Sequence, residues 1–401
     1  MSLDLDRIYP QVGDMVSRLK ADSASRQERL KAALDTLAKN AENPDTLARK
    51  IEASHTTWLV AGLVEGMDKH TGPRDIPSEF TVLATDGSHI DVDRHRSPRC
   101  YLINIGSVSL RYGSQPDAVL DSMPRLYSKD EDLVIRPEGE RNREQLIEGT
   151  LLGIKRGVDE FCRLAEVAEA TSGETPVLAL SDGTLVFWGL EAYPDFVTEI
   201  MLERGIIRHF NRIKKLNSVE GKAALASYIS FPRSTEVVNT LRIALCPHDI
   251  VDTDVRCKEC QDRQCEAVTG VRDRDIFSNL LGNGERSALF MSGSKIVGRK
   301  YPDEHRVYFF YLKVDDETAR VEVPKWVATD DSLLELTHSL VLDQCQRGQG
   351  YPVSLSEAHE QAVVTGADRE NFWRLVESAM VDEKLPSSSS AKSRSKKTRW
   401  L

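Results

Sequence analysis

Two short apolar runs in this 401-residue chain end alike: Phe80-Thr81-Val82-Leu83-Ala84 leads to Asp86-Gly87-Ser88, and Val177-Leu178-Ala179-Leu180 leads to Asp182-Gly183-Thr184. Each run is too short for a helix and rich in residues that suit a buried strand. A Gly directly after each Asp lets the backbone turn at the sheet edge and leaves a carboxylate pointing out of a strand terminus. Asp-Gly is also a common Asx turn that caps a loop. The repeated context, more than the dipeptide, points to a paired-carboxylate metal site.

What lies between the two turns narrows the fold. Cys100–Ile105 and Ser107–Tyr112 read as two more strands, with Gly106 between them and Gly113 closing the second. A helical pattern then runs from about Arg141 to Ala168, with Ile147, Leu151, Ile154, Val158, Phe161 and Ala165 at helical spacing. Strand with Asp, two more strands, helix with an acid, strand with Asp is the order of a ribonuclease-H-like α/β core, a mixed sheet with flanking helices. In that order the third carboxylate comes from the helix. Glu144 and Glu148 are the candidates; they lie four apart on one flank, so periodicity does not separate them. Glu148 is the one favoured.

Four further stretches carry a resemblance: Tyr228-Ile-Ser-Phe-Pro-Arg-Ser234, Val307-Tyr-Phe-Phe-Tyr-Leu-Lys313, Arg320-Val-Glu-Val-Pro-Lys-Trp326 and Gly350-Tyr-Pro-Val-Ser-Leu-Ser-Glu-Ala-His359. With the two Asp-Gly turns, they resemble the NurA family of DNA nucleases, in the family's order and over most of residues 76 to 375. The resemblance implies a manganese-dependent exonuclease and endonuclease acting on single- and double-stranded DNA in end resection and double-strand break repair. It also implies a homodimer paired with a hexameric HerA-like ATPase, and it supplies His359 as a ligand. Carboxylate oxygens suit magnesium or manganese, and one imidazole favours manganese. Two such ions, ~3.5 to 4 Å apart, activate a water and stabilise the leaving oxygen in phosphodiester hydrolysis. The expected ligands are Asp86, bridging, with Asp182, Glu148 and His359.

A formal net charge of -10 gives no global attraction to a polyanion, so DNA must meet a local basic patch. Arg111, Arg141 and Arg143 lie near the expected site, and Arg233 lies in the Phe-Pro-Arg-Ser stretch. Val307 to Val314 alternates as a strand, with Phe309 and Tyr311 on one face and Tyr308 and Phe310 on the other. One pair belongs to the core, and Tyr311 is the candidate to stack on a base.

Seven cysteines are present, and Cys246, Cys257, Cys260 and Cys265 fall within twenty residues after the strand-like Leu241 to Leu245. That quartet has the ligand count for structural zinc or an iron-sulfur cluster. A closed four-thiolate site has no open position for catalysis. Cys100, Cys162 and Cys345 read as buried thiols, and a disulfide framework does not suit so long a chain.

Residues 1 to 72 read as largely helical, with heptad-like apolar positions over Met15 to Leu37 and a more apolar stretch from Trp58 to Met67. They either pack on the sheet or form a dimer contact. Residues 73 to 385 form the expected nuclease domain with its Cys-rich insertion near 246–265. Residues 386 to 401, basic and serine-rich, read as a disordered tail. No signal core or membrane-length run is present, which points to the cytoplasm, and there is no Walker-type phosphate loop. Two rival readings stand beside the nuclease. A decayed nuclease would act as a DNA-binding scaffold, and an actin-like ATPase or kinase would hold phosphates at two Asp-Gly turns.

Overall fold

The computed structural model describes residues 3–385 apart from 94, 95, 141, 172, 174 and 218–220. Arg141 and the tail expected over 386–401 lie outside the described residues. The chain opens with helices α1 (Tyr9–Ala41) and α2 (Pro44–Ala53), each with a proline in its first turn, where the missing N–H costs no hydrogen bond. The long strands β1 (Phe80–Ile90), β2 (Tyr101–Tyr112) and β3 (Asp117–Tyr127) follow. Next come α3 (Thr150–Thr171), β4 (Val177–Asp182) and β5 (Ala223–Ile229). The principal elements end with α4 (Glu236–Leu245), the single turn α5 (Arg256–Glu259), β6 (Val307–Val314), β7 (Glu317–Pro324), α6 (Asp331–Arg347), α7 (Val353–Ala362) and α8 (Gly366–Asp382).

Two compact units divide the chain: residues up to 72 with 230–294 and 308–320, and residues 73–229 with 295–307 and the chain from 321 onward. In the second unit, β1, β2 and β3 form an antiparallel meander, with Asp86 opposite Gly106 and Gly106 opposite Ser122. Strand β4 joins β1 in parallel (Thr81 opposite Val177), and β5 joins β4 in parallel (Val177 opposite Ala223). The order β3-β2-β1-β4-β5 is the ribonuclease-H-like arrangement expected from the sequence. Helix α3 supplies Leu151, Phe161 and Leu164 to a core shared with Leu83, Ile103 and Ala179. Each of these leucine, isoleucine and phenylalanine side chains contributes about 1.5–3 kcal/mol by leaving water. Strand β4 is buried along all but its last residue, as befits a parallel strand covered on both faces.

In the first unit, Ala33 and Leu37 of α1 pack with Val237 and Leu241 of α4 and with Phe277 and Phe290. Two expectations are corrected here. Leu241 to Leu245 is the end of a helix, because Val237 and Leu241, four apart, make one buried stripe. Trp58 to Met67 is not helical and holds the short strand Gly62–Leu63, which pairs with Phe290 and Met291.

Candidate active site

Asp86 is not at a strand end. Strand β1 runs on through Gly87 and Ser88 to Ile90, all paired with β2. The glycine therefore serves close approach and not a turn. A Cβ on Gly87 would sit 2.5 Å from Glu160 Oε1 and 2.9 Å from Arg156 Cγ, both on α3. Thr85, two residues back and on the same face, donates its hydroxyl to the Glu160 carbonyl at 3.2 Å. The empty side-chain position at Gly87 lets the Glu160 carboxylate reach the strand that carries Asp86.

Asp86 itself faces α7, where its Oδ2 lies 2.7 Å from His359 Nδ1. A second glycine makes this possible: a Cβ on Gly106, directly across from Asp86, would fall 2.2 Å from the Ala358 carbonyl oxygen. Ser88 and Asn104 donate to the Ala362 carbonyl at 2.5 and 3.0 Å, so two β-strand side chains hold the C-terminal turn of α7. The helix is thereby locked with His359 over the strand.

Asp182 does end β4 as expected, and Gly183 turns the chain with a φ of +84° that favours glycine. Gly183 N–H donates to the Tyr228 carbonyl at 3.0 Å. The Tyr351 hydroxyl bonds the Asp182 carboxylate, and its ring meets Tyr228 edge-on at 5.6 Å. Thr184 is turned to a structural task, donating to Glu322 Oε2 at 2.7 Å.

The electrostatics mark these groups as one cluster. Burial first, then the Asp86 and Asp182 carboxylates, push Glu160 up to about 7 against the pull of Arg156. Glu160 Oε1 and Arg156 Nε form a buried ion pair at 2.9 Å, poorly aligned for a hydrogen bond. Asp182 is raised by desolvation and by Asp86, and lowered by Tyr351, Gly183 and His359. Asp182 as a residue is open to solvent even so. Among the described residues no three His, Cys, Asp or Glu side chains stand at the spacing of a metal shell. The chemistry of the donors nevertheless suits a hard divalent cation: three mutually repelling carboxylates, with an imidazole on one of them.

Glu160 and Tyr351 escaped the sequence reading. The helix begins at Thr150, later than the apolar pattern from about Arg141 implies, after Gly149 in a left-handed conformation. Glu148 and Glu144 therefore precede it. Ten helical residues, about 15 Å of rise, separate Thr150 from Glu160, so Glu148 is not the carboxylate beside Gly87. Glu144 pairs with Arg136 at 2.8 Å on the surface. The signal for Glu160 was present in Arg156-Glu160, an (i, i+4) pair on the strand-facing side of α3.

Of the expected DNA contacts, Arg111 and Arg233 are exposed. Arg143 pairs with Glu140 at 3.4 Å and covers the Phe196 ring. Tyr311 cannot present a face to a base. It is fully buried, stacked on Phe277 at 4.7 Å, and donates its hydroxyl to Asp273 at 2.8 Å. Both faces of β6 are core, since Tyr308 and Phe310 are buried as well. Cys100 and Cys345 are buried and Cys162 half-buried. The actin-like reading needed two Asp-Gly turns, and only Asp182 makes one.

A family model, the NurA domain, matches residues 80–364. No curated protein matches in sequence. Among solved structures, the chain is similar to the NurA nuclease from Sulfolobus solfataricus at 12% identity, covering 93% of this chain and 98% of that one, with a TM-score of 0.49. It also aligns with an Aquifex aeolicus Argonaute at 12% identity, over 71% of this chain and 28% of that one, with a TM-score of 0.25. The family match spans well over half of the sequence and every element of the carboxylate cluster: the chain belongs to the NurA family.

Proposed function

We infer that this protein is a metal-dependent DNA nuclease whose active site is Asp86, Glu160, Asp182 and His359, with Tyr351 as the group that orients Asp182. What supports this reading is the contact between Asp86 and His359 at 2.7 Å, together with the mutual electrostatic influence of the Asp86, Glu160 and Asp182 carboxylates from β1, α3 and β4. Manganese, or magnesium in its place, would be held by those carboxylates and His359. When bound, it would supply Lewis-acid polarisation of a phosphodiester and an activated water. The protein's own part is positioning. Gly87 and Gly106 admit Glu160 and α7, Tyr351 fixes one carboxylate, and a bound cation would add to the relief that Arg156 and His359 give the acids.

The stacking role expected of Tyr311 passes to Phe231. This residue is 62% exposed and held at a φ of +48°, a conformation costly for a bulky side chain. Its N–H donates to Glu317 and its carbonyl accepts from Arg274, whose guanidinium lies 3.3 Å over the ring. Desolvation first, then Arg272, Arg26 and Arg233, hold the Arg274 guanidinium below its ordinary value, with Asp275 offsetting them in part. A strained, exposed aromatic among arginines suits a single strand.

A second copy and a HerA-like hexameric ATPase remain the partners this reading implies, with end resection in the cytoplasm as the setting. Tyr9, Val12, Val16 and Leu19 form an exposed apolar stripe on α1 at heptad spacing that supports a helical partner. No helix among the described residues is long and apolar enough to cross a membrane. The function is tested by incubating end-labelled single- and double-stranded DNA with the protein and its Asp182→Ala variant in manganese, magnesium or chelator. Manganese-dependent cutting lost in the variant is expected. A folded wild type that binds DNA without cutting, with and without a HerA-like ATPase, would establish a scaffold instead.

A further inference from the structure

The cysteine quartet takes no part in the carboxylate site, and all four thiols lie in the first unit. Cys246 caps the C-terminus of α4. Cys257 lies in α5 and Cys260 caps it, so the C-x-x-C pair spans one turn. Cys265 follows in the 3-10 turn Gln264–Val268, after Arg263 reverses the chain at a φ of +36°. All four are free. Cys246 is 8% exposed and packs in the core, Cys257 packs against that core, and Cys260 and Cys265 are half-buried.

The segment is tied down near its start, where Val251 and Thr253 hydrogen-bond with Ser54, His55 and Thr57, but little holds the part that carries the C-x-x-C pair. Helix α5 buries no residue and has no side-chain cap, and Val255 just before it is 67% exposed. A single turn of helix does not persist by propensity alone. We propose that Cys246, Cys257, Cys260 and Cys265 bind one structural zinc ion, and that this ion is the core around which residues 246–265 fold.

Val251 and Val268, on either side of the C-x-x-C pair, pack in the same cluster as Cys246, Val237 and Leu241, and Cys257 packs against it, so the chain is folded back on α4 at both ends of the segment. Among the described residues no three cysteine side chains stand at the spacing of a metal shell, so the thiols must close in to bind the ion. Closure requires their deprotonation, which zinc drives as it binds. A tetrathiolate zinc centre carries two net negative charges, and cations stand ready for them. The Arg242 guanidinium acts on Cys265, and Lys50 Nζ donates to the Cys246 carbonyl at 2.6 Å. With four protein ligands the centre has no open position, so its work is structural.

The test is metal analysis of the full-length protein purified without chelator, beside Asp182→Ala and a Cys257→Ser/Cys260→Ser double variant. Roughly one zinc per chain is expected, retained in Asp182→Ala and lost in the double variant. Should the double variant not fold, a mercurial titration of the wild type replaces it, with zinc released in step with thiol modification. Zinc removal is also expected to open the chain to trypsin at Arg256, Lys258 and Arg263. Three results would overturn the proposal: stoichiometric iron, absence of metal with all four thiols reacting at once, or zinc lost from Asp182→Ala and kept in the cysteine variant. None of these depends on whether the protein cuts DNA.

Discussion

His359 and Asp86 are 273 residues apart, yet the imidazole Nδ1 lies 2.7 Å from the carboxylate because Gly106 leaves room for α7 to lie on β2. Gly106→Ala places a methyl group 2.2 Å from a backbone oxygen of that helix, which cannot swing aside as a side chain tip can. The helix must lift, and His359 with it. We expect the variant to lose about 1–3 kcal/mol of stability to overpacking and roughly 100-fold in cutting rate, the size of loss that a misplacement of about 1 Å causes in other active sites. Unfolding curves and single-turnover cutting check the two effects separately.

Glu160 against Glu148 is a direct comparison. Glu160→Gln keeps the shape of a buried residue whose Oε1 has no hydrogen-bond partner, but removes the charge. Its cutting rate should fall by more than the ~10–100-fold that losing an outer-shell partner of a metal costs. Glu148→Gln should stay within a few-fold of wild type. Full activity in Glu160→Gln would return the third carboxylate to another position.

The raised Glu160 carboxyl ties stability to pH in the metal-free protein. The folded state keeps its proton up to about 7, whereas the unfolded state releases it near 4.5. Between those values the native state binds more protons, so this group's contribution falls as pH rises through the window and is constant above it. The loss is on the order of 1–3 kcal/mol. His209 and His305, pushed down to about 4 by burial, act in the opposite sense: they favour the native state as pH rises from about 4 towards 6.5. The difference between wild type and Glu160→Gln isolates the carboxyl. Denaturant unfolding in chelator from pH 4.5 to 8 should show wild type losing ground to the variant, and manganese should restore it above pH 7. Parallel curves would contradict the assignment.

Two aromatic residues should separate stability from DNA binding. Tyr311→Phe strips a donor from Asp273, a fully buried carboxylate, and should cost about 1–3 kcal/mol of stability with no change in DNA affinity. Phe231→Gly removes an exposed ring and relieves a φ of +48°. It should leave stability unchanged or slightly raised, while weakening single-strand binding by about 1–3 kcal/mol. Fluorescence anisotropy with a labelled oligonucleotide reads the second effect.

The strand order was legible because buried parallel strands read as short apolar runs, and the Asp182-Gly183 turn because it ends one of them. Asp86-Gly87 has the same letters with another cause. There the glycine makes space for Glu160, and a clash with a helix seventy residues away leaves no local trace. Glu148 was favoured because helical periodicity in the sequence extends back past Gly149, whose left-handed backbone ends the pattern. Tyr311 illustrates the limit of alternation. Period two separates the faces of a strand but does not say whether one of them meets water, and β6 is covered on both.

The most direct measurement of the central claim is anomalous scattering at the manganese edge from crystals soaked in manganese. Density among the carboxylates of Asp86, Glu160 and Asp182, in reach of His359 and absent in Asp182→Ala crystals, is the predicted result. Manganese bound elsewhere, or a shell from which Glu160 is missing, would contradict it.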